Sequence, residues 1–366
     1  MKIGYLLFDT ETKLCGINRL AKGFIRELAD DKEVDINILG YDYYNIRNFP
    51  SKPALYSNND SANRLRELKV QLDSSDYQIA HSFFYPLPKC DKVKTIITIN
   101  DLIALVNMDW FTNGEKRRIL YDKYIREGAE NADCIIAISE YTKKDIVNIF
   151  DISPEKIKVV YSGLYQTYPS LDESKWNFVK TKFFITKPFV LSICTIEPRK
   201  NLLSLIKAYE NMRTRNRELD YQLVLVGRRG WKNERIYEHA ANSPFTEDII
   251  FTDYVNDEEL ELLYANAMAF AYVSLYEGFG LPIIEAMAKG NAVLTSNVTS
   301  LPEVGGDAVC YCDPLEIESI EAGLEKLITD EQYRSQLQKK ALERVKLFSY
   351  KNMVRNTMDI YISLLN

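Results

Sequence analysis

Short apolar runs alternate with stretches in which apolar residues recur every three or four positions along nearly the whole chain. The runs at 3–8, 34–39, 78–80, 95–99, 134–138 and 158–161 read as strands. The periodic stretches at 18–29, 116–129 and 141–150 read as helices. The second half repeats the pattern, with strands at 189–193, 249–251, 269–273 and 292–295 and a strand in LVLVGRRGW. Helices are expected at 202–212, 257–267, 318–328, 332–345 and 351–365. Such alternation predicts βαβ units and parallel sheets, an α/β protein in two domains. The first spans 1–165 and the second 188–349. Between them, 166–187 has prolines, charges and weak periodicity and reads as a linker. In sheets of this kind ligands bind beyond the carboxyl ends of the strands, so the loops there carry the candidate chemistry.

The most informative loop is SLYEGFGLPIIEAMAKG, residues 274–290. Gly278 and Gly280 permit close backbone approach to a ligand, Pro282 suits a first helical turn, and Gly290 suits the left-handed residue that closes the helix. Free amides and the positive dipole end at that helix start attract an anion. Glu277 and Glu285 bracket this point. Beside a phosphate alone they would repel it, so they suit hydroxyls on either side of a diphosphate: a sugar and a ribose. The ligand so described is a nucleotide-diphosphate sugar.

Other residues leave alternatives open. His81 follows the strand at 78–80 and is either a satisfied structural histidine or an acceptor contact. Asp101 is either a cap for the next turn or an acceptor contact. The helix beginning near 110 carries Lys116, Arg117, Arg118, Lys123 and Arg126 among tyrosines. It reads as a solvated face, or as a patch for anionic headgroups or a lipid-diphosphate acceptor. Ser139 has the position of a helix N-cap, and Ser300 and Glu303 have capping-box spacing.

Composition narrows the classes. A formal net charge of −6 disfavours a nucleic-acid partner. No apolar run has the length of a membrane span, and the first residues lack the form of a secretion signal. The six cysteines form no Cys-x-x-Cys pair, and with only two histidines neither a zinc site nor a Ser-His-Asp triad is expected. A cytoplasmic location, extending to the inner membrane face, follows as the expectation.

The string from Glu277 to Glu285 around Gly-Phe-Gly-Leu-Pro resembles the signature of retaining glycosyltransferases of family four. That resemblance implies the GT-B fold: two Rossmann-like doubly wound domains facing a central cleft, with the last helix, 350–366, packing back on the first domain. It assigns Arg199 and Lys200 of EPRKN to the diphosphate, where charge gathers in the transition state. It also assigns amides of Phe279, Gly280 and Leu281 to the phosphate cradle, Glu285 to the ribose and Glu277 to the transferred sugar. Gly227, Arg228 and Tyr254 fall near the nucleotide, although Arg228 also suits a plain surface position. Gly16 matches one glycine of a Gly-Gly-Ile element. Asn100 stands where the family commonly has His, so it can bond a sugar but not transfer a proton near neutral pH. Gly163 matches the interdomain crossing.

The resemblance implies hexose transfer, mannose as the best single sugar, with retention of configuration and no obligatory metal or other cofactor. The acceptor would be a glycan or a polyprenyl-diphosphate-linked glycan in cell-surface polysaccharide synthesis, with peripheral membrane association open. Two alternatives stand beside this: a nucleotide-sugar 2-epimerase of the same fold, and a non-catalytic sugar-nucleotide-binding subunit.

Overall fold

The structure is a computed structural model that describes residues 1–7, 16–40, 61–83, 87–164 and 172–366. Cys15, the loop residues 84–86 and Tyr165 lie outside the described residues. Its contacts divide the chain into two compact units: residues 1–108, 113–165 and 348–366, and residues 109–112 with 166–347.

The first unit contains β1 (Lys2–Leu7), β2 (Asp35–Gly40), β3 (Ile79–Ser82), β4 (Lys94–Ile99), β5 (Cys134–Ala137) and β6 (Ile157–Val159). They form one parallel sheet in the order β2-β1-β3-β4-β5-β6. β3 and β5 are buried along their whole length. Helices cover both faces of such a sheet, and its inner strands therefore read as near-continuous apolar runs. A helix over Ser61–Ser74 adds an element that the apolar periodicity did not show.

The terminal helix, Tyr350–Leu365, packs within this unit. Ser349 caps it by accepting from the Asn352 amide at 3.2 Å, and Tyr350, Met353, Thr357 and Tyr361 make its buried stripe. Gly163 lies directly against Tyr350, where any side chain would collide with that helix. Tyr361 reaches Tyr5 at 3.1 Å and His81 Nδ1 at 2.5 Å, while His81 Nε2 lies 2.7 Å from Thr98 Oγ1. His81 is thus a core histidine, 1% exposed and bonded at both ring nitrogens. The acceptor contact entertained for it gives way to this structural role. Burial pushes its pKa down to about 3, so the ring is neutral.

The second unit contains β7 (Phe189–Ile193), β8 (Gln222–Val226), β9 (Ile249–Asp253), β10 (Ala269–Tyr272), β11 (Val293–Ser296) and β12 (Cys310–Cys312). Their parallel order is β12-β11-β10-β7-β8-β9. From β7 the chain winds outward through β8 and β9. It then returns to β10 beside β7 and winds the other way. The crevice between β7 and β10 is therefore the topological switch point, where the loops of two adjacent strands diverge to opposite faces.

The segment expected to be a plain linker is a helix over Glu173–Phe183. Asp172 caps it through the amides of Ser174 and Lys175. Its apolar stripe is thin, with only Val179 and Phe183 buried, so periodicity under-reports it. Capping at Ser139 follows its spacing, with Thr142 N donating at 3.0 Å. Ser300 departs from its expected role. Its hydroxyl makes no cap and lies 2.8 and 3.0 Å from the carbonyls of Glu277 and Phe279, because the preceding loop folds over it.

Candidate functional site

Two loops meet at the switch point of the second unit. The loop after β7 carries Glu197, Arg199 and Lys200, the last two within a single 3-10 turn, Pro198–Lys200. The loop after β10 carries Glu277 and enters the helix Leu281–Ala288. The Leu275 amide donates to the Arg199 carbonyl at 2.9 Å, which fixes one loop against the other.

Arg199 Nη1 lies 2.7 Å from Glu277 Oε1, and Lys200 Nζ lies 2.6 Å from the same oxygen. Lys200 also donates to the Tyr272 hydroxyl at 2.7 Å, and Tyr272 donates to Glu277 at 2.9 Å. Arg199 further binds the Tyr276 carbonyl at 2.9 Å and the Glu197 carboxylate through Nε at 3.0 Å and Nη2 at 2.7 Å. Lys200 and Glu277 are buried, at 8% and 9% exposure. Burial alone would push the Glu277 carboxyl up. The charges of Arg199 and Lys200 outweigh it and hold the pKa at about 2. Burial, followed by the nearby Glu277 charge, pushes the Tyr272 phenol well above its usual range, so it stays a donor. The ammonium of Lys200 has three N–H bonds and two partners among the described residues, which leaves one for a ligand oxygen.

Gly280 precedes the Leu281–Ala288 helix with φ +105°. That positive φ favours glycine, and a Cβ there would also lie 2.7 Å from the end of the Leu301 side chain, which would have to shift. Phe279 is buried, and the backbone through Phe279, Gly280 and Leu281 leads into the helix start. Gly290 closes the helix at φ +75°. Glu285 sits within it, half-buried, and its Oε2 accepts from Tyr264 at 3.1 Å. At the end of β8, Gly227 has φ +143°, and a Cβ would fall 1.8 Å from the Cys194 carbonyl. Arg228 and Tyr254 are exposed beyond the ends of β8 and β9.

The structure thus gathers Glu277, Arg199 and Lys200 at one point. Glu285 lies along the same loop and helix, and Gly227, Arg228 and Tyr254 lie at the ends of the neighbouring strands. The remaining candidate residues belong to the first unit. Gly16 opens the helix Gly16–Leu28. Asn100 donates through Nδ2 to the Phe83 carbonyl at 3.1 Å. Asp101 accepts from the Ile103 amide at 3.2 Å, the turn-cap geometry that was one of its two readings. Lys116, Arg117, Arg118 and Lys123 are exposed, Tyr124 is buried, and Arg126 pairs with Asp122 at 2.8 Å.

Sequence reasoning missed Glu197, Tyr272 and Tyr264. Glu197 stands within the EPRKN string and was legible as a carboxylate two positions before Arg199. The tyrosines gain their roles only where strand and helix ends meet, and nothing in their local sequence marks them. Among the described residues no group of three or more His, Cys, Asp and Glu is gathered as metal ligands.

Two doubly wound parallel sheets, one with cations and a buried carboxylate at its switch point, define the class as a Rossmann-type α/β protein. Residues 174–344 match the family model described as glycosyl transferases group 1, and residues 16–165 match glycosyltransferase family 4. The chain belongs to this group of glycosyltransferases. It is 35% identical over 250 residues to the O-antigen chain mannosyltransferase B of Escherichia coli, covering 67% of this chain and 65% of that protein. It is 30% identical over 332 residues to the serotype-specific mannosyltransferase WbdA of Escherichia coli, covering 86% of this chain and 40% of that one. The chain therefore spans less than two thirds of the length of these relatives. Among solved structures, a sucrose-phosphate synthase from Thermosynechococcus elongatus superposes with a TM-score of 0.76 at 18% identity, covering 99% of this chain and 98% of that one. WaaG, a glycosyltransferase involved in lipopolysaccharide biosynthesis, gives 0.73 at 17% identity, with 98% and 99% covered. These likenesses place the fold in the GT-B class.

Proposed function

We propose that the protein transfers a hexose, mannose as the best single sugar, from a nucleotide-diphosphate donor to a glycan or a polyprenyl-diphosphate-linked glycan. The observation that carries this reading is the convergence of Arg199, Lys200 and Glu277 at the switch point between β7 and β10. The mannosyltransferase names of the relatives support the sugar and a role in cell-surface polysaccharide synthesis.

In this reading Arg199 and Lys200 hold the diphosphate together with the amides at the start of the Leu281–Ala288 helix, and no obligatory metal is needed. Negative charge grows on the phosphate oxygen as the anomeric C–O bond breaks, so cations fixed there favour the transition state over the ground state. The departing phosphate oxygen takes the proton of the acceptor hydroxyl. The acceptor oxygen then bonds the anomeric carbon from the same face, which retains configuration. Glu277, released from its cations as phosphate engages them, accepts from sugar hydroxyls, and Glu285 accepts from the ribose. Acceptor binding falls to the first unit, where the Asn100 amide can hydrogen-bond a sugar hydroxyl. The exposed Lys116, Arg117, Arg118 and Lys123, with Ile119 exposed among them, would meet an anionic lipid surface. Vesicle flotation that is indifferent to anionic lipid would remove that part alone.

The test is an assay of GDP-, UDP- and dTDP-linked sugars with lipid-linked and free glycan acceptors, with the product's anomeric configuration read by NMR. Transfer from GDP-mannose with retention is the expected result. Binding of a sugar nucleotide with neither transfer nor donor hydrolysis across the panel would instead support the non-catalytic subunit.

A further inference from the structure

Glu197 is a charged group of the site to which the reading above gives no task. It is 3% exposed, and its Oε1 takes both Nε and Nη2 of Arg199. Its backbone is pinned on both sides. The Lys200 amide donates to the Glu197 carbonyl at 3.1 Å. The neighbouring Ile196 exchanges bonds with Arg228 and Gly230 at 3.0 Å each. Gly230 approaches so closely that a Cβ there would lie 2.7 Å from the Ile196 carbonyl. The backbone that carries this carboxylate is therefore held in place, and the carboxylate itself is held by its bonds to Arg199.

Arg199 and Lys200 bring two positive charges, and Glu197 and Glu277 bring two negative ones. All four act on the Cys194 thiol at the end of β7, the cations lowering and the carboxylates raising a pKa that burial already pushes up to about 12. They therefore crowd a single point. Around them, Glu285 is engaged by Tyr264, Arg228 is exposed, and Arg229 lies 3.9 Å from Asp253. The resting charge of the core group is zero.

We propose that Glu197 is a fixed counter-charge that keeps the diphosphate site neutral at rest, so that the nucleoside diphosphate left after transfer is released rather than retained. This deepens the donor reading above and rests on it. A multiply charged anion entering a site with an unopposed cation, shielded from water, would bind too tightly for rapid turnover. Glu277 gives up its cations to the incoming phosphates and turns to hydroxyls. Glu197, locked to Arg199, does not. It acts through Arg199 and is a positioning residue.

The test compares wild type, Glu197→Gln and Glu197→Asp by calorimetry with GDP, UDP and inorganic pyrophosphate, alongside melting temperatures and steady-state turnover. Glu197→Gln should bind the diphosphates and pyrophosphate at least about tenfold tighter, a gain of about 1.4 kcal/mol. Its kcat should fall while kcat/KM for the donor holds or rises. Glu197→Asp should stay close to wild type. Equal or weaker binding by a folded Glu197→Gln would overturn the proposal and leave Glu197 as a mere orienter of Arg199. Should that variant fail to fold, the salt dependence of pyrophosphate binding to wild type decides. A shallow dependence is expected of a neutral site, and a steep one would overturn it. If no variant binds a nucleoside diphosphate while pyrophosphate behaves as expected, the donor reading falls and the counter-charge stands.

Discussion

Arg199 donates to the Glu197 carboxylate and the Tyr276 carbonyl and forms an ion pair with Glu277, and this sets how its loss should be read. Replacing it with Ala removes a charge from the place where phosphate charge develops. It also leaves Glu197 and Glu277 with one cation between them. Arg199→Ala should therefore lower kcat/KM by about two orders of magnitude or more while the far-ultraviolet spectrum is kept. Near-normal turnover would refute its assignment. Glu277 makes a pH prediction. Its folded pKa of about 2 lies below the usual 4.5, so ionised Glu277 contributes stability in full above about pH 4.5. That contribution is lost as pH falls toward 2. The stability gap between wild type and Glu277→Gln, measured by urea unfolding at about pH 6, 4.5 and 3.5, should shrink as the pH drops. A gap that widens would contradict the ion-pair account. The motif showed in the sequence that these residues belong together. It could not show that Glu277 is bonded to the cations in the resting protein, because that needs β10 beside β7.

Loops at the ends of strands carry the site, and each is held open by a residue whose backbone other side chains resist. Gly227 combines φ +143° with the Cys194 carbonyl where a Cβ would stand. Gly227→Ala should lower stability by about 2 kcal/mol or more, seen as a lower melting temperature, together with weaker nucleotide binding. Unchanged melting would show that the β7 and β8 loops shift freely. Strands and long helices were legible from period alone, usually to within a few residues, because burying a face fixes the spacing of apolar side chains. The helices Ser61–Ser74 and Glu173–Phe183 were not. The second buries only two side chains and is started by its Asp172 cap rather than by a stripe.

Across the molecule, the terminal helix completes the first unit through the Tyr5, Tyr361, His81 and Thr98 network. His81 cannot accept a proton in the folded state until about pH 3, whereas the unfolded chain does so below about 6.5. Stability should therefore fall as pH drops through 6.5, by about 1.4 kcal/mol between about pH 7.5 and pH 5.5 from this group alone. The slope should be smaller in His81→Gln, measured by urea unfolding at both pH values. An unchanged slope would mean that another group is responsible. From the sequence a structural role for His81 was the favoured reading, but its place at a strand's end left an acceptor contact open, since both uses put histidine there.

The amino-acid sequence by itself determined the alternating α/β elements, the glycines and proline that shape the Leu281–Ala288 helix start, and the charged residues around it. These depend on local backbone sterics and on the period at which side chains are buried, both written into neighbouring positions. Tertiary structure alone decided which charges touch. Strand order brings β10 against β7, so residues 77 positions apart, Lys200 and Glu277, share a hydrogen bond. It also decided that His81 is sealed beneath Tyr361, because that depends on where the last helix returns. Contacts between distant segments follow from how whole elements pack, and local sequence carries no record of the partner.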